Sequence, residues 1–141
     1  MNTMEPTYIE LSGDLTEITG TLTDGAPMPD LSWAWNSSNA CFTEMEQEHF
    51  TGYHRLYYFD LPSYTEVEIE LIPDDKKADF SLYAYEVGQV SESNTVPNLA
   101  RCVRCEADYK WDRPVRGRVQ DHTRMVKDIL AIRNPYQVVI G

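Results

Sequence analysis

One segment limits the fold of this chain more than any other: Thr65-Glu-Val-Glu-Ile-Glu-Leu-Ile72. Val67, Ile69 and Leu71 alternate with Glu66, Glu68 and Glu70. Successive side chains of a strand point to opposite faces, so this pattern gives one apolar face and one row of carboxylates. Such a strand has one wet face and needs a second layer over its dry one.

Similar patterns recur along the chain. Thr7–Leu11 and Leu15–Thr23 alternate apolar and polar residues around a Ser12-Gly13-Asp14 turn. After the breaker-rich Asp24–Asp30 loop, Leu31-Ser-Trp-Ala-Trp35 sets Leu31, Trp33 and Trp35 on one face. Tyr53–Leu61 reads as a strand closed by Pro62. Ala78–Val87 follows the Pro73–Lys77 turn, with Phe80, Leu82 and Ala84 on one face. Gly88–Pro97 is a polar loop, and Cys102–Trp111 reads as extended. Val119, Val126, Ile129 and Leu130 suit helical spacing, with Asp121 or Thr123 as a cap. The company of strands favours a strand there instead. Tyr136–Gly141 closes the chain after the Asn134-Pro135 turn, with Tyr136, Val138 and Ile140 on one face.

This makes about eight or nine strands with a turn roughly every ten residues, which argues for an antiparallel β-sandwich, jelly-roll-like, over a parallel α/β sheet. Nine Tyr, three Trp and four Phe agree with strands. The 141 residues can bury a core without staples, and no linker or repeat divides them, so residues 1–141 are expected to form a single domain. The chain stops inside what reads as a strand, so it is expected to be a domain excised from a larger protein. No apolar run has the length of a membrane helix, and Met1–Pro6 has neither the charged nor the apolar region of a signal peptide.

The formal net charge of −11 repels nucleic acid and anionic membranes. It suits a cation or simple solubility. Asp74, Asp75 and Asp79 share one turn and are the candidate calcium ligands, although Lys76 and Lys77 stand among them. Glu44, Glu46 and Glu48 form a second acidic group. Calcium takes six to eight oxygens, so either group would need carbonyls and water as well. Neither has the spaced acidic loop that marks a strong site.

Cys102-Val-Arg-Cys105 is a CxxC, which is half of a zinc site. Cys41, His49, His54 and His122 supply no second close pair, and no βαβ unit flanks the motif as redox chemistry would want. A disulfide from Cys41 to Cys102 or to Cys105 is the simpler use in an oxidising compartment, leaving one thiol over. A metal or redox protein built on this motif is the third-ranked function. No GxSxG, HExxH or phosphate-cradling loop is present. His54, within a strand, reads as a structural histidine, and the chain as a non-enzyme. Tyr57, Tyr83 and Tyr85 are the candidate binding face, provided that they point away from the core; otherwise they belong to it. Trp33 and Trp35 are either a sugar platform or core.

Three stretches carry a family resemblance: Phe50-Thr-Gly52-Tyr-His-Arg-Leu-Tyr-Tyr-Phe-Asp-Leu-Pro62, then Val67–Leu71, then Ala78-Asp79-Phe-Ser-Leu82-Tyr83-Ala-Tyr85. Together with Asn134–Gly141 they resemble the bacterial pre-peptidase C-terminal domain family, over about residues 20–141. The resemblance implies a jelly-roll-like sandwich attached to secreted, periplasmic or cell-surface proteins, often proteases. It also implies a non-catalytic role in stability, secretion or substrate targeting. Some relatives bind calcium or extracellular polymers, so a carbohydrate- or matrix-binding module is the alternative, with polysaccharide or protein polymer as partner. The Gly88–Arg118 stretch, with its two cysteines, departs from the family pattern.

Overall fold

The computed structural model describes residues 5–27, 33, 52–75, 80–99, 105–109, 123–124, 129–131 and 133–141. Its described elements are strands and short 3-10 turns: β1 (Thr7–Tyr8), β2 (Ala26–Pro27), β3 (Tyr53–His54), β4 (Tyr57–Leu61), β5 (Thr65–Val67), β6 (Glu70–Leu71), β7 (Ser81–Val87), β8 (Cys105–Tyr109), β9 (Thr123–Arg124), β10 (Ile129–Ala131) and β11 (Tyr136–Ile140), while Trp33, expected in a strand, is helical. The fold is all-β, as the sequence indicates. Among the described residues no helix is long and apolar enough to cross a membrane.

Five strands form the main sheet in the order β1-β4-β11-β7-β8. Three two-stranded ribbons accompany it: β10-β5, β6-β9 and β2-β3. Among the described residues every pairing is antiparallel except β1 with β4, which is parallel. That exception corrects a purely antiparallel expectation. The long stretch between Tyr8 and Tyr57 is what lets β1 return in the same direction as β4.

The central position of β11 explains its composition. Val138 lies opposite Phe59 and Glu86, and Val139 opposite Tyr58 and Tyr85. With neighbours on both sides and layers on both faces, Val138 and Val139 are both buried. β7 likewise buries Leu82, Tyr83, Ala84 and Tyr85 in succession.

Two strands expected as single pieces change partner midway. Thr65–Leu71 keeps strict alternation, with Thr65, Val67, Ile69 and Leu71 half-buried and Glu66, Glu68 and Glu70 exposed. Its first half pairs with β10 (Val67 with Ile129) and its second with β9 (Glu70 with Arg124). Three residue steps on one side face five on the other, so the ladder breaks at Glu68-Ile69 as at a bulge. This also places strands in the ambiguous 119–132 stretch. Tyr53–Leu61 divides too: β3 joins β2, and after Arg55-Leu56 the chain enters the main sheet as β4.

The ribbon β5-β6 with β9-β10 covers one face of the main sheet. Phe59, Leu61, Leu82, Ala84 and Val138 pack there with Ala131, and Val67, Ile69, Leu71, Tyr136 and Ile140 close around them. The expectation that Tyr136, Val138 and Ile140 share a face holds. The segment Leu15–Thr23, expected as a strand, forms none. Apart from a 3-10 turn at Leu22–Asp24 it has no regular structure and is largely exposed.

Candidate functional site

The opposite face of the main sheet is aromatic. Trp33 packs on Tyr83 with ring centroids 4.8 Å apart, and Tyr85 stacks on Tyr83 at 6.3 Å. His54 Nε2 and the Tyr83 hydroxyl share a hydrogen bond of 3.0 Å. The Tyr85 hydroxyl donates to the Asn94 carbonyl at 2.9 Å. Each buried phenol therefore has a partner for its polar tip, as burial requires. Gly141 exchanges two backbone hydrogen bonds with Tyr83, and a Cβ there would run into the Tyr83 ring.

These contacts depend on loops that meet only in space. The β2-β3 ribbon, with Ala26 opposite His54, delivers the imidazole. The turn after β7 delivers Asn94. That turn is held by Ser91 N–H donating to Asn94 Oδ1 at 2.8 Å and by the Thr95 hydroxyl donating to the Ser91 carbonyl at 2.6 Å. It also buries Thr95, Val96 and Leu99. Burial pushes the His54 pKa down to about 4, so the ring is neutral at physiological pH.

The proposed tyrosine face is corrected here. Tyr83 is 0% exposed and Tyr85 2%, so neither is available to a ligand. Tyr57 lies on the other side of the sheet, sharing a face with Ile140 and Ala84. Tyr83 and Tyr85 are therefore core, and Tyr57 is half-buried beside the groove described below. The exposed tyrosines are Tyr8, Tyr53 and Tyr64. Trp33 is core, and His54 has the structural part expected of it. Trp35, Cys41, Glu44, Glu46, Glu48, Asp79, Cys102 and His122 lie outside the described residues, and Cys105 is placed only by its backbone in β8. Asp74 and Asp75 are exposed on a bend. Among the described residues no group of three potential metal ligands comes together.

A polar network runs across β1, β4 and β11 at one end of the aromatic face. The Tyr8 hydroxyl donates to Asp60 Oδ2 at 2.7 Å, and Gln137 Nε2 donates to Asp60 Oδ1 at 2.9 Å. Val90 N–H donates to Gln137 Oε1 at 2.6 Å, tying the loop after β7 to the same group. These bonds from Gln137 and Tyr8 lower the Asp60 pKa, and the bond to Asp60 raises that of Tyr8. Both carboxylate oxygens are engaged in joining strands.

A groove of about 420 Å³ lies beside these clusters. Residues 7–10 form one wall and residues 16–19 the other, with Arg55 and Tyr57 between. The Arg55 guanidinium lies 5.1 Å from the centre of the Tyr57 ring and 4.0 Å from the Asp24 carboxylate. Sequence patterning pointed to a hairpin here. The turn is correct, with Gly13 at φ 64° and Thr16 bonded to Ser12, but the two arms form no ladder and the groove runs between them. One signal could have drawn attention to the place: Arg55 is the first Lys or Arg in the chain, after nine carboxylates.

No family model matches this chain, and neither a curated protein nor a solved structure does.

Proposed function

We propose that this chain is a non-catalytic accessory domain of a secreted or cell-surface protein, acting by contact: it stabilises the protein it is attached to or holds it to a partner. The observation that carries this reading is how two of the described reactive side chains are used. His54 is neutral, half-buried and bonded to Tyr83, and Asp60 has both oxygens occupied by Tyr8 and Gln137. A general base needs an approach to substrate and a pKa near the working pH; His54 has a pKa near 4. The all-β scaffold is the kind that the pre-peptidase C-terminal resemblance implies. The exported location and the jelly-roll winding of a complete sandwich come with that resemblance as parts of the proposal. The proposed role needs no bound ion.

The test is turnover. The purified chain, offered peptide, ester, glycoside and phosphate substrates, should be no more active than a His54→Gln variant. Turnover that His54→Gln abolishes would overturn the reading. Retention on insoluble polysaccharide or collagen would instead make the chain a carbohydrate- or matrix-binding module, with the groove beside Tyr57 as the surface to mutate.

A further inference from the structure

Among the described residues, β1 lies at one edge of the main sheet. Thr7 N–H and Ile9 N–H bond inward to the carbonyls of Leu56 and Tyr58 at 2.9 and 2.8 Å. Backbone groups alternate in direction along a strand, so the N–H and C=O of Tyr8 point to the outer edge. Edge strands are ordinarily blunted by Lys, Pro or a bulge, because unpaired backbone groups recruit other chains. Here β1 is short, two residues with Pro6 before it, but no Lys, Arg or Pro follows between Thr7 and Ile18. Exposed apolar side chains stand about it: Tyr8 48% on the strand and Ile18 51% across the groove, with Leu11 40% and Leu15 76% in the stretch between. The arm that patterning would pair with it, residues 15–19, stands off and leaves the groove open.

Charge selects the occupant. Glu10 and Glu17 line the groove and Asp14 stands at its tip, with no Lys or Arg before Arg55. Arg55 itself is turned to Asp24 and Tyr57. A second copy presenting the same acidic edge would be repelled, as would an anionic surface. We propose that this edge binds an extended peptide segment of alternating apolar and basic residues by strand addition. The backbone of the segment would pair with Tyr8, its apolar side chains would cover Leu11, Leu15 and Ile18, and its Lys or Arg would meet Glu10 and Glu17. The inference deepens the contact role proposed above and rests on it.

The probe is a synthetic eight-residue peptide alternating valine and lysine, capped at both ends, titrated into the whole chain and followed by NMR. Saturable binding is expected, with shifts centred on the Tyr8–Glu10 amides, weakened by salt. Charge reversal at Glu10→Lys with Glu17→Lys should lower affinity roughly tenfold while the fold stays intact, since both are exposed. The matching valine–glutamate peptide should not bind. Absence of binding, equal binding of both peptides, or binding untouched by the double variant would overturn the inference. So would concentration-dependent self-association through the same amides, which would assign the edge to a second copy. Cleavage of the bound peptide would overturn the non-catalytic reading and leave strand addition standing.

Discussion

The two faces of the five-stranded sheet solve the same problem with different chemistry. On one, Phe59, Leu61, Leu82, Ala84 and Val138 meet the β5-β6 ribbon with no polar atom to satisfy. On the other, Tyr83 and Tyr85 bury large rings whose hydroxyls require partners, and they find them in His54 and in the Asn94 carbonyl. The first face depends on volume and burial alone. The second depends as well on bringing two particular loops to two particular atoms. Stability on the aromatic side should therefore respond to single polar atoms and to pH, and on the aliphatic side to size.

The largest effect is expected on the aliphatic face. Phe59→Ala should cost about 3–5 kcal/mol, the range for emptying a well-packed aromatic site. Urea unfolding would measure it, and the loss should be the same at pH 5 and pH 8. A loss near 1 kcal/mol would mean that the ribbon packs loosely and would weaken the contrast.

Acid should act through the other face. The folded-state pKa of His54 is depressed to about 4 from the ordinary 6.5. Above pH 6.5 the ring is neutral in both states and its full contribution is present. Between pH 6.5 and 4 the unfolded chain takes up a proton that the folded chain refuses, so stability falls with pH. The loss is on the order of 2–3 kcal/mol by pH 4. The difference in stability between wild type and His54→Gln, followed by denaturant titration from pH 8 to pH 4, should shrink across that window. A difference independent of pH would remove the half-buried histidine from the account.

Single hydroxyls come next. Tyr83→Phe keeps the ring against Trp33 but leaves His54 Nε2 without the phenol, and should cost about 1–2 kcal/mol. Tyr85→Phe should cost about 1 kcal/mol, with amide exchange quickening through residues 91–95, because the Asn94 carbonyl loses its donor. If both variants match wild type, the aromatic face too is held by volume alone. The smallest effect belongs to the exposed bend. Asp74→Asn with Asp75→Asn should change stability by less than about 0.5 kcal/mol, and the melting point should be equal in EDTA and in millimolar calcium. A calcium-dependent rise that the double variant abolishes would make the bend a cation site.

The contrast between the faces also marks how far patterning reaches. The alternation of Val67, Ile69 and Leu71 with glutamates was enough to assign a half-wet strand, because period two maps directly onto faces. The same logic assigned Leu82 with Ala84, and Tyr136, Val138 and Ile140, to one face. It left Tyr83 and Tyr85 open between binding face and core. A strand buried on both sides carries no alternation in polarity, and tyrosine suits core and surface alike. It failed at Leu15–Thr23, where the residues alternate but the arm forms no ladder.

The sequence by itself determined the all-β class, the main turns and the inward faces of the clearest strands, since each follows from local periodicity. Tertiary structure alone decided the parallel pairing of β1, the exchange of partners within Thr65–Leu71, the burial of the tyrosines, the Tyr8–Asp60–Gln137 network and the groove beside the β1 edge. Each of these joins residues dozens of positions apart. Which strand lies beside which is settled by packing the whole chain at once, and no single segment carries that information.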